Sequence, residues 1–148
     1  SLTENVAILG YLADLYPEAR LLGDGSPRAR AEVMRWLGFL NSDVHKAFKP
    51  IFTPQRFLKD AAMAPVLADN ARAHVREYLA RLDGQLEGRD WLTGERSIAD
   101  PYLFVLSRWS AAKKIDMQGL DNLARFARMM DGDAGVQAAL DAERGMPQ

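Results

Sequence analysis

Apolar side chains return every three or four residues over most of the chain, and no stretch sustains the one-in, one-out alternation of a strand. The pattern predicts a helical protein. Its first run, "TENVAILGYLADLYP", has a polar start and then apolar residues from Val6 to Leu15, until Pro17 stops it. Thr3 is the expected cap. Ser26-Pro27 opens a second helix, with Ser at the cap position and Pro in the first turn. Behind it Val33, Leu37, Leu40, Val44 and Ala47 form one stripe, expected to run to about Phe48 before Pro50 and Pro54 end it.

A third helix is expected from near Pro65, turning Leu67, Ala71, Val75, Tyr78, Leu82 and Leu86 inward, with Gly88 after its end. A fourth starts at Ser97 and is apolar in almost every direction, from Ile98 through Leu106 to Trp109, as befits the middle of a bundle. Two shorter helices are expected at about 119–130 and 134–143, followed by a loose tail.

Composition narrows the class. The 148 residues suit one ordinary domain with a sizeable core. A net charge of −1 gives no general attraction to nucleic acid or anionic lipid. The absence of Cys removes disulfides, thiolate metal sites and a Cys nucleophile from this chain. No apolar run approaches the roughly 18 residues of a membrane helix, and no basic-then-apolar signal segment opens the sequence. A cytoplasmic location is the expectation.

Two stretches carry possible chemistry. In "SIAD", Ser97 and Asp100 have capping-box spacing: the Ser97 hydroxyl can accept from the Asp100 N–H, and the Asp100 carboxylate can reach back to the Ser97 N–H. The reading is structural, since satisfying orphan N–H groups is reason enough to bury an acid there. In "GFLNSDVHKAFKP", Gly38, Ser42, His45 and Lys49 fall near one line at about 100° per residue, with Asn41 close by. Such a stripe is either the wall of a groove for a polar ligand or a solvated face. His45 is one of two histidines; the other, His74, sits beside an apolar face, and neither has metal-site spacing. The EF-hand-like "DGDAG" lacks the later ligands. Base and aromatic residues alternate from His45 to Lys59, but the aromatics read as core, so no nucleic-acid partner is expected.

Taken together, "LTENVAILGYLADLYP", "RWLGFLNSDVHKAF" and "WLTGERSIADPYLFVLSRW" resemble three successive segments of the glutathione transferases, most closely the bacterial beta class. The resemblance implies an all-α chain: a helical bundle like that family's C-terminal domain at 27–148, a linker at 18–26, and at 1–17 the last helix of a thioredoxin-like α/β domain. It implies a glutathione site that includes Glu4, Asn5, Ser42, Asp43 and His45. Glu4 would pair with the ligand's ammonium, and helix N–H groups would meet its carboxylate. Asp43 would reach toward the ligand of a partner subunit. Gly38 stands where the family often has Asn. Trp109 would line the pocket of a small hydrophobic electrophile, or is core. No metal is implied, and the catalytic residue is expected in a thioredoxin-like region upstream of these residues, so that this segment alone would be inactive.

The resemblance therefore implies conjugation of glutathione to an electrophile by a homodimeric, cytoplasmic enzyme without a membrane segment. The alternative is a transferase-like helical module that only mediates protein association, because fold does not fix function.

Overall fold

The computed structural model describes residues 1–145, and every regular element among them is helical. Helix α1 spans Asn5–Leu15, α2 Pro27–Phe39, and a π turn Leu40–Val44 leads into the short α3, His45–Ala47. Then follow α4 (Lys49–Phe52), α5 (Ala64–Gln85), α6 (Ala99–Ala112), α7 (Asp121–Asp131) and α8 (Ala134–Arg144). Single 3-10 turns lie at Pro17–Ala19, Pro54–Arg56 and Ala61–Met63.

The second helix starts as its sequence requires: Ser26 Oγ accepts from the Ala29 N–H at 3.1 Å, with Pro27 behind it. Its helical path, continued through the π turn and α3, ends at Phe48 as expected. Pro50 sits in the first turn of α4, where its missing N–H loses no bond. Thr3 is not the cap of α1. Glu4 holds that position, with φ 69° and no side-chain capping bond.

Val33, Leu37, Leu40, Val44 and Phe48 from α2 to α4 meet Val75, Leu79, Leu82 and Leu86 of α5, all fully buried. On them rest Leu103 and Leu106 of α6 and Leu123, Phe126 and Met130 of α7. Leu79 was absent from the predicted inward face of α5 and belongs to it. Helix α6 is central as expected, but Val105, 40% exposed, and Arg108 leave one strip of it open. Its buried Ser107 and Ser110 hydroxyls donate to Leu103 O and Leu106 O at 2.9 and 2.8 Å.

Residues far apart in sequence close the ends of these helices. Asp83 of α5 accepts from the Leu123 N–H at 2.8 Å, supplying the cap that Leu120 lacks. Arg72 and Arg76 of α5 donate to Lys113 O (3.0 Å) and Gln118 O (2.7 Å) just beyond α6. Asp133, taken from the EF-hand-like stretch, caps α8 through the Val136 N–H at 3.0 Å. Helix α8 runs on to Arg144 with Gly145 as its cap; of the tail expected to be loose, 146–148 lie outside the described residues.

The connection between α1 and α2 is fastened rather than free. The Ile98 N–H donates to Leu21 O at 2.9 Å, and Arg30 donates twice to Asp14, at 2.8 and 3.0 Å. Gly23 turns at φ 90°, and a Cβ there would lie 2.6 Å from Ala29 Cβ, so only glycine fits.

Asp100 is fully buried at the head of α6. Its Oδ2 accepts from the Ser97 N–H at 2.7 Å and the Ser97 hydroxyl at 3.0 Å, as the capping-box spacing anticipates in part. The return bond differs: Ser97 Oγ accepts from Ala99 N at 3.3 Å, not from Asp100 N, which donates to Ser97 O. Oδ1 takes a third donor, the Leu92 N–H at 3.0 Å. Burial pushes the carboxyl above the usual aspartate range, against the pull of the Leu92 and Ser97 donors.

Asp100→Ala leaves two buried N–H groups without acceptors. It is expected to lower the unfolding free energy by about 3 kcal/mol, beyond the about 1–2 kcal/mol of an exposed cap. Urea unfolding measures this, and a midpoint equal to that of the unsubstituted protein would remove Asp100 from this role.

Candidate functional site

The polar stripe expected on the long helix divides in the structure. A π turn holds one residue more than an α turn, so the phase changes between Leu40 and Val44. Beyond it, Asn41 and His45 reach α6 together, whereas Ser42 and Lys49 stay exposed and Gly38 half-buried. The Ser42 hydroxyl lies 2.8 Å from Gly38 O and also against the Asp43 carboxylate, sharing one proton between two acceptors. Ser42 and Asp43 thus form a pair on the rim, outside the contacts that Asn41 and His45 make.

Those contacts meet at Tyr102 of α6. His45 Nδ1 lies 2.7 Å from the Tyr102 oxygen, and the Tyr102 hydroxyl donates to Asn41 Oδ1 at 3.1 Å. Burial pushes the Tyr102 hydroxyl above the usual phenol range, and the Asn5 side chain, placed against it, pulls the other way. Asn41 of the π turn and His45 of α3 therefore meet at one atom, with the Asn5 side chain of α1 nearby. Glu4, next in the chain, is exposed and adopts φ 69°, ψ 120°, a region where a residue with a Cβ is strained.

An aromatic wall adjoins the imidazole. The Trp109 ring meets His45 edge-on at 4.9 Å, Phe52 at 5.1 Å and Phe48 at 5.6 Å. These are favourable perpendicular arrangements. Lys113 Nζ lies 4.7 Å from the Phe52 ring. Trp109 is half-buried and also helps to line a groove of about 510 Å³ between α6 and α8, with Phe104, Val105, Val136 and Leu140. It is thus neither sealed core nor free surface.

Desolvation, with Lys49 adding a smaller repulsion, holds the His45 imidazole below its ordinary range, which favours the neutral ring. The second histidine makes no part of this site: His74 is exposed, stacked near Tyr78 and 3.4 Å from Glu77. Among the described residues no group of His, Asp and Glu could hold a metal ion.

Tyr102, Phe48 and Phe52 were read from the sequence as core or as broken chain. A signal was available for Tyr102, which lies seven residues before Trp109 and so on the same face of α6. A buried tyrosine also needs a partner for its hydroxyl.

The family profile "Glutathione S-transferase, C-terminal domain" matches residues 41–131. Glutathione S-transferase GST-4.5 of Xanthomonas campestris is 44% identical over 97% of this chain and 71% of its own. The solved glutathione S-transferase of Xylella fastidiosa is also 44% identical, with a TM-score of 0.92 over 98% of this chain and 71% of its own. A bacterial beta class glutathione S-transferase of Sphingomonas chungbukensis is 39% identical, with a TM-score of 0.82 over 96% of this chain and 68% of its own.

The His45 environment has a measurable consequence. Its folded pKa lies below the unfolded value, so between the two the unfolded chain holds more protons and stability rises with pH. The contribution is complete above about pH 6.5 and is lost as pH falls toward the folded value. An NMR titration should place the His45 midpoint below about 6.5, and Lys49→Met should raise it without restoring the ordinary value, because burial is the larger cause. A midpoint at or above the ordinary value would contradict the desolvated geometry.

Proposed function

The chain belongs to the glutathione transferase family and has its transferase function, and from that premise we propose how its residues divide the work of conjugating glutathione to a hydrophobic electrophile. Glu4 pairs with the ammonium of the γ-glutamyl end. The Asn5 amide and the free N–H groups in the first turn of α1 receive the adjacent carboxylate, where the helix dipole favours an anion. Ser42 and His45 complete the polar side, and His45, kept neutral, accepts a hydrogen bond through its remaining ring nitrogen. Asp43, on the rim, serves the ligand of a partner subunit. Gly38 adds no side chain to this grip.

The observation that carries the reading is the meeting of Asn41 and His45 at the Tyr102 hydroxyl, with Asn5 nearby, beside an aromatic wall. One flank offers hydrogen bonds to a peptide-like thiol, and Trp109, Phe48 and Phe52 offer an apolar bed for the electrophile. Electrophile and thiol are then held side by side, which is most of what a bimolecular displacement needs. The strained backbone of Glu4 supports a ligand role at that position, since strain of this kind collects at binding sites.

The division into 1–17, 18–26 and 27–148 belongs to the same proposal. Ile8, Tyr11, Leu12 and Leu15 of α1 are exposed, an apolar surface suited to a helix that covers a sheet. The protein acts as a homodimer in the cytoplasm. Among the described residues no helix is long and apolar enough to cross a membrane.

Glu4→Gln is expected to weaken glutathione binding about tenfold, the loss of one charge-assisted contact. Trp109→Ala should raise the KM of an apolar electrophile more than that of glutathione. Calorimetry with glutathione and initial rates with chlorodinitrobenzene read the two effects. Unchanged glutathione binding in Glu4→Gln would remove that residue from the grip.

A further inference from the structure

We propose that Tyr102 is a positioning residue of the glutathione site: its hydroxyl accepts the Nδ1–H of His45 and donates to Asn41, and so fixes the imidazole as the tautomer whose Nε2 is bare. The inference rests on the reading of His45 as a glutathione contact and adds the residue that sets its state.

A tyrosine hydroxyl carries a single hydrogen and can donate once. Here it is directed to Asn41 Oδ1, 3.1 Å away. The shorter contact, 2.7 Å to His45 Nδ1, must then take its proton from the ring. A neutral imidazole has one N–H, so Nε2 is left as an acceptor. The amide oxygen of Asn41 thereby determines, through Tyr102, what His45 can do on its other side.

Ring packing fixes the orientation as the hydrogen bond fixes the proton. Tyr102 and Trp109 lie seven apart on α6, two turns along one face. Tyr102 holds Nδ1, while Trp109 meets the imidazole edge-on at 4.9 Å and 86°. The Tyr102 ring is itself only 6% exposed and has little room to turn. Asn41 and His45, four residues apart and so on one face, reach the same oxygen. Asn5, next to Glu4 on α1, lies near that hydroxyl, which sets the two ends of the proposed grip close together.

Tyr102→Phe in the full-length protein keeps the ring and removes the relay. In nitrogen-15 NMR the unsubstituted neutral His45 should show Nδ1 as the protonated nitrogen and Nε2 as the bare one. Tyr102→Phe should mix the two tautomers and weaken glutathione binding about fivefold. In a His45→Ala background the same substitution should have no further effect on binding. A bare Nδ1 in the unsubstituted protein would overturn the assignment. So would unaltered tautomer and affinity in Tyr102→Phe when His45→Ala does weaken binding. If His45→Ala leaves glutathione affinity intact, the fault lies instead in the reading of His45 as a ligand contact, and the positioning role falls with it.

Discussion

The carboxylate of Asp100 is the constraint on which the rest of this bundle hangs. It sits fully buried at the head of the central helix and holds the Leu92 N–H, the Ser97 N–H and the Ser97 hydroxyl at once. Two of those donors belong to the turn before α6, and one comes from eight residues upstream. A single side chain therefore closes the loop after α5, opens α6 and sets the angle at which α6 enters the core. Ile98, in the same turn, then reaches Leu21 O in the connection from α1. The position of α1 relative to α6, on which the meeting of Asn5 with Tyr102 depends, follows from that arrangement. Replacing such a buried, fully satisfied acceptor is more damaging than its local helix propensity suggests, because each freed N–H remains in a dry place.

A second departure from regularity makes the site. An unbroken α-helix from Pro27 would have set Gly38, Ser42, His45 and Lys49 near one line, with Asn41 close by. The π turn at Leu40–Val44 rotates everything after it. Val44 and Phe48 stay in the core, Asn41 joins His45 against α6, and Ser42 is left at the rim with Asp43. Two arrangements are thereby separated on one helix: an inner pair, Asn41 and His45, that meets Tyr102, and an outer pair, Ser42 and Asp43, bonded to each other at the rim.

What was legible in the sequence was what local chemistry decides. Ser26-Pro27 had to start a helix, and the spacing of Val33, Leu37, Leu40 and Val44 marked a buried face, all within a few residues of their causes. The less legible features have causes elsewhere in the chain. The cap of α7 is Asp83, 40 residues earlier on another helix. Pro50 lies after the expected break at Phe48, and the short helix it helps to open was not foreseen. Thr3 yields its cap to Glu4 because the backbone turns there at a positive φ that a threonine rule does not foresee. For the site, Glu4, Asn5, Ser42, Asp43, His45 and Trp109 came from resemblance, and the oxygen that joins two of them, Tyr102, hid among the apolar residues of α6. Its hydroxyl was visible in the sequence, but its partners lie 57 and 61 residues away.

Glu4 shows how the fold and the proposed grip pull against each other. A residue at φ 69°, ψ 120° would be relaxed by replacement with glycine, which pays no steric penalty there. Stability alone therefore favours losing the side chain. Nor does the carboxylate repay the strain as a cap, since it makes no capping bond to α1. The nearest benefit within the fold is that of any residue at this position, a carbonyl that accepts the Ile8 N–H at 3.0 Å. A carboxylate at the positive end of a helix, on a strained backbone and without a partner of its own, gains its full worth when a cation arrives. In the proposed site that cation is the ammonium of glutathione, and the conformational penalty is met before the ligand binds. The same logic governs His45 in the proposed site, where burial favours the neutral ring at the expense of its solvation. Both ends of the grip are prepared in advance, so binding need not supply that order.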